Sequence, residues 1–104
     1  MTKSEAIAKL QDYIDKNKAV LADSMKLKSQ FLKLEQWQKS SASVNLELDI
    51  QNQIRKAQMY IGRINAMSET YFSSIDITDI LNDFENAYQT LKRTYENFYK
   101  RRFE

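Results

Sequence analysis

The chain contains no cysteine, no histidine, no proline and a single glycine, Gly62. Each absence removes a class of chemistry or architecture. Without cysteine there is no disulfide framework, no reactive thiolate and no zinc–thiolate site. Without histidine the commonest general base, proton shuttle and metal ligand is missing. One glycine cannot build a phosphate-cradling loop. A chain without proline and nearly without glycine can make few tight turns, so it must consist of a few long elements. No stretch approaches the ~18 consecutive apolar residues of a membrane span. The opening segment, MTKSEAIAKLQDYIDK, lacks the apolar core of a cleaved signal peptide. We therefore expect a cytoplasmic protein, or one exported by a route that uses no cleaved signal.

What is present points one way. The 104 residues allow at most one domain, which we take as residues 1–104. Lys, Glu, Gln, Leu, Ala and Met, all good helix formers, are plentiful. Sixteen basic residues against fourteen acidic ones leave a net charge of +2, too mild a balance to imply nucleic acid or an anionic membrane.

Apolar spacing divides the chain into three helices. Thr2 and Glu5 have capping-box spacing, and Ile7, Leu10, Ile14, Leu21, Leu27, Phe31 and Leu34 follow at helical intervals. Asn17, Ser24 and Lys28 interrupt this stripe, so the first helix, about 3–39, is expected to have a weak middle. The serine-rich run 40–43 reads as a tight connection. A second helix, about 44–71, carries Leu46, Ile50, Ile54, Ala57, Ile61, Ile64 and Tyr71 in steps of four and three, with Ser68 in the seam. A break is expected in residues 72–79, where Asp76 suits an N-cap. The third helix, about 77–102, is the most regular: Ile77, Leu81, Phe84, Tyr88, Leu91, Tyr95 and Phe98 keep an unbroken four-three alternation. Acidic residues gather at its start and basic ones at its end, as the helix dipole favours. The fold expected is all-α: an antiparallel three-helix bundle, or a long helical hairpin with a third helix.

Chemical sites are scarce. The serines lie in turn-like stretches, where capping accounts for them. Asp79 and Asp83 lie one turn apart and can touch a cation, but a solvated helix start explains them as well, and no Glu-x-x-His pair exists to build a di-metal bundle. We expect no catalytic residue, no metal ligand and no cofactor, and hence no enzyme. The candidates that remain are contact residues. Trp37, the only tryptophan, sits in the last turn of the first predicted helix. It either closes the core where the chain reverses or meets a partner, since Trp is enriched at interface hot spots. The stripe Phe84, Tyr88, Leu91, Tyr95 and Phe98, with Arg102 beyond it, is either internal core or an intermolecular seam. The basic ending YKRRFE can stack and neutralise phosphates, but dipole-favoured charge accounts for it better, and we expect no nucleic-acid partner.

A helical chain of about this length, with a lone Trp at a predicted hairpin turn and no cleavable signal, resembles the WxG-type small proteins of type VII secretion. It is most similar to the helical targeting partners encoded beside LXG toxins in Gram-positive bacteria, and the ending LKRTYENFYKRRFE looks like the C-termini of such partners. Here Trp37-Gln38-Lys39 lacks the motif's glycine, and no tyrosine starts the Tyr-x-x-x-Asp/Glu export signal. A Phe variant occurs at Phe31 with Glu35 and at Phe72 with Asp76, the second a candidate export motif. The resemblance implies a chaperone-like toxin-targeting factor that binds the helical N-terminal region of an LXG toxin. Two other classes match in size and type: a bacteriocin-type immunity protein, and a self-associating phage or assembly component.

Overall fold

The computed structural model describes the backbone of residues 1–30 and 41–100, and the side chains of residues 1–26 and 46–97. The described residues form four α-helices and no strand: α1 (Lys3–Gln30), α2 (Ser41–Ala66), the short α3 (Glu69–Ser74) and α4 (Thr78–Thr94), which runs on into a π-helical turn over Tyr95–Lys100. The all-α expectation holds.

Three long helices pack side by side into a rod of 55 × 20 × 18 Å. Their directions follow from cross-contacts. The Lys3 ammonium donates to the Met67 carbonyl, and the Tyr13 hydroxyl donates to Gln53 Oε1, so α1 and α2 run antiparallel. The Tyr13 ring meets both Phe84 and Tyr88, and Lys16 lies over Tyr88, so α4 runs parallel to α1. Tyr60 against Phe84 then makes α4 antiparallel to α2. The topology is up-down-up.

The start of α1 is capped as expected, with the Glu5 amide donating to Thr2 Oγ1 at 3.1 Å. The remaining boundaries depart from the sequence expectation. The second helix opens at Ser41, inside the serine run, so at least Ser41–Ser43 belongs to the helix and not to the connection. Serine's preference for helix starts covers this case too: the run begins the element instead of preceding it. At its other end α2 stops at Ala66, five residues short of Tyr71. The Lys3 ammonium takes the Met67 carbonyl at 2.6 Å, satisfying an orphaned C-terminal acceptor. Ser68 is not a seam residue; it adopts an extended conformation and its side chain accepts the Tyr71 amide at 3.1 Å, capping α3. That short helix delivers Phe72 into the core, five residues after Met67 and five before Ile77, and so absorbs the phase slip between the second and third apolar stripes.

The second break falls at residues 75–77, within the expected segment. Asp76 is not itself the N-cap: Ile77 occupies that position without a side-chain cap bond. Asp76 instead accepts the Thr78 amide through Oδ1 at 3.0 Å, serving the same donors from one residue earlier. The third long helix was expected to remain α-helical to about 102. It gives way at Tyr95 to π-helical turns, wider than α and uncommon outside functional or strained segments.

The core is a heptad core on all three rods. On α1 Ala6, Leu10, Tyr13, Asn17, Val20 and Ser24 form an unbroken four-three series of buried positions, and Ile14 beside Tyr13 is buried as well. Leu46, Ile50, Ala57 and Ile64 are the buried positions of α2, with Ile54 and Ile61 only partly covered at its edge. Ile77, Phe84 and Tyr88 close the core from α4. Asn17 and Ser24, which look like interruptions in the sequence, are therefore centred in the seam.

Candidate interaction surface

The α4 stripe singled out from the sequence splits in two. Phe84 is 4% exposed and Tyr88 8%, and both face the chain's own core. The Phe84 ring centroid lies 4.9 Å from Tyr13 and 5.6 Å from Tyr60, the latter edge-on. Such offset and T-shaped pairs are the favoured aromatic geometries. Lys16 and Lys92 approach the Tyr88 ring at 5.7 and 6.0 Å, and Lys56 approaches Phe84 at 5.8 Å, so ammonium groups roof the aromatic layer. In this arrangement neither Phe84 nor Tyr88 offers a face to another protein. Leu91 and Tyr95 continue the same seam but are only partly buried. Trp37 and Arg102 lie outside the described residues, as do Phe31 and Glu35. Phe98 falls within the π-helical segment, and its side chain is likewise outside the described set.

The candidate export motif also separates. Phe72 is buried, and exposed Asp76 holds the start of α4. Both residues thus have structural roles within the bundle.

Electrostatics around the aromatic layer follow from burial. Desolvation pushes the Tyr13 hydroxyl up to about 12, with the Asn17 amide offsetting a part and the Glu85 carboxylate adding to the rise. Burial likewise raises Tyr95, helped by the carboxylates of Asp23 and Glu96. Lys16 is raised by its bond and ion pair with Asp12, 3.3 Å away on the next turn of an exposed face. Between α1 and α4 lies an open groove of about 430 Å³, floored by Leu10, Tyr13, Leu81 and Phe84 and rimmed by Lys9, Asp12, Lys16 and Glu85. Its rim balances two positive against two negative charges, so it selects no charged ligand.

Two polar positions that read as interruptions in the sequence are buried. Asn17 is 1% exposed; its amide nitrogen donates to the Tyr13 carbonyl at 2.8 Å, while its Oδ1 has no partner. Ser24 is fully buried and donates to the Val20 carbonyl at 2.9 Å. The available signal was the series 6, 10, 13, 17, 20, 24, which shows a heptad seam only if polar residues are admitted to it. Among the described residues the large exposed apolar side chains are Met1, Met25, Leu48, Met59 and Tyr71. Among the described residues no cluster of acidic side chains could hold a metal ion, and no helix is long and apolar enough to cross a membrane.

Comparison of the chain with protein-family models, with curated proteins and with solved structures gives no match.

Proposed function

We propose that the protein is a non-enzymatic helical adaptor that binds another helical protein along the C-terminal half of α4. The observation that supports this is the change in burial along one continuous seam. Ile77, Phe84 and Tyr88 are closed off internally, with Leu81 between them partly buried, whereas beyond Tyr88 the described seam positions Leu91 and Tyr95 are both only partly buried. A partner helix with apolar residues at four-three spacing would extend the same packing and bury what remains of these two side chains. Tyrosine suits such a position because its ring is apolar and its hydroxyl can remain wet. Phe98, Arg102 and Trp37 are the further contacts proposed from sequence. Following the sequence resemblance, the partner proposed is the helical N-terminal region of a type VII-secreted LXG toxin, with this chain as its targeting factor.

The test is light scattering of the purified chain with and without that toxin region. A 1:1 or 2:1 complex should form, and the double variant Leu91→Ala/Tyr95→Ala should weaken it at least tenfold while far-ultraviolet circular dichroism stays unchanged. A monomer that ignores the toxin region would overturn the proposal. Association of the chain with itself alone would favour an assembly component instead.

A further inference from the structure

The α1–α2 pair has two flanks, and they differ in kind. Beside its seam α1 carries residues 9, 16 and 23 on one flank and 7, 14 and 21 on the other; α2 carries 49, 56 and 63 on the first and 47, 54 and 61 on the second. α4 lies on the first flank: Lys16 is over the Tyr88 ring, Lys56 is over the Phe84 ring, and Asp49 shares a hollow with Ala87 and Leu91. All six residues there are charged: Lys9, Lys16, Asp23, Asp49, Lys56 and Arg63. On the far flank five of the six are aliphatic: Ile7, Ile14, Leu21, Ile54 and Ile61.

Pairing two helices needs only the seam, and positions beside a two-helix seam ordinarily carry charge. An aliphatic flank in addition to the seam is the pattern of a helix packed into a larger bundle. α4 does not supply that packing, because it sits on the opposite side. Ile14 is covered by the pair itself, but Ile7, Leu21, Ile54 and Ile61 stay partly open, and Met25 at the margin is exposed.

The margin tells what fits. Ser4, Gln11, Lys18, Gln51, Gln58 and Asn65 border the far flank, all exposed, and only Lys18 is charged. In a chain with 29% charged residues this is an unusually neutral border. Amides both donate and accept, so such a border can pair with its own like and does not repel it. The Lys3–Met67 and Tyr13–Gln53 bonds set Ile7 level with Ile61, Gln11 with Gln58 and Ile14 with Ile54. A twofold axis parallel to the rods therefore lays Ile7 on Ile61, Ile14 on Ile54 and Gln11 beside Gln58 of a second copy, with each helix antiparallel to the one it meets.

We propose that the far flank of the α1–α2 pair is a self-association face, on which a second copy of the chain packs to complete a four-helix core. α4, with Leu91 and Tyr95, stays outside that core, so the dimer and the partner site on α4 are independent.

Sedimentation equilibrium of the full chain from about 10 μM to about 1 mM tests it, because a contact of this size is of the reversible class. Wild type should dimerise within that range, with a dissociation constant that changes less than about threefold between low and high salt, since the border carries little charge. Gln11→Glu/Gln58→Glu and, separately, Gln11→Lys/Gln58→Lys should each weaken the dimer at least about tenfold, because each sets like charges opposite one another. Both lose the exposed bond from Gln11 to Asp15, and far-ultraviolet circular dichroism should show both still folded. An equimolar mixture of the two variants should associate at least as tightly as wild type. Leu91→Ala/Tyr95→Ala should leave the dimer intact, so this inference and the adaptor reading fail separately. A wild-type chain monomeric at about 1 mM would overturn the inference, including the case in which a foreign helix alone covers the flank. So would a dimer indifferent to residues 11 and 58, or charge variants whose mixture stays monomeric.

Discussion

Replacing Phe84 by alanine separates core from interface most sharply, because the sequence pattern offers this residue for either role. The ring is almost wholly buried and touches Tyr13 at 4.9 Å and Tyr60 at 5.6 Å. A buried aromatic removes about 150–250 Å² from water. At about 25 cal/mol per Å² this is roughly 4–6 kcal/mol as an upper bound. The alanine keeps a part of that, the surrounding side chains collapse only partly, and measured Phe→Ala costs in cores are about 3–5 kcal/mol. Small proteins have only about 5–15 kcal/mol in total, so the variant should be close to unfolding at room temperature. In urea titrations followed by circular dichroism, with a slope of about 1–2 kcal/mol per molar, the midpoint should fall by about 2 M or more. Tyr95→Ala, at a half-covered position of the same seam, should cost only about 1–2 kcal/mol. If Phe84→Ala loses less than about 1 kcal/mol, or if both variants lose equally, the division of α4 into a closed and an open half is wrong.

Two further substitutions test particular contacts. The Tyr13 hydroxyl is held neutral up to about pH 12 against an ordinary value of 10, so its contribution to stability is complete below pH 10 and is lost as pH rises from 10 to 12. Across that window wild type should lose more stability than Tyr13→Phe, by on the order of 1–2 kcal/mol after allowance for solvent near the hydroxyl; parallel pH profiles would refute the assignment. Ser68→Ala removes the cap on α3 and with it the element that seats Phe72; a loss of about 1 kcal/mol, or some 4–8 °C in Tm by calorimetry, is expected, and an unchanged Tm would mean that α3 is not held by this bond.

Much of the fold was legible because helix formation is governed by local pattern. The Thr2 cap, the heptad of α4 and the division of the chain into long rods all rest on residues within a few positions of one another. The early end of α2 was not legible: the spacing runs on to Tyr71, whereas in the structure Ser68 caps a new helix and Lys3, sixty-four positions away, bonds the Met67 carbonyl. The candidate surface was half legible. The stripe from Phe84 to Phe98 is visible as spacing, but spacing carries no record of which turns another helix covers. Asn17 and Ser24 read as interruptions that weaken the middle of the first stripe, and the structure buries both.

By itself the sequence determined that this chain is all-α, that three apolar stripes must find one another, and that thiol, imidazole and glycine-loop chemistry are absent. Periodicity and composition are properties of the chain alone, so these conclusions needed no coordinates. The tertiary structure decided the up-down-up arrangement, the seating of Phe72 by a helix too short to announce itself, and the burial of Asn17 and Ser24 in the seam of α1. Burial and partnership are relations between distant residues, and only packing fixes them.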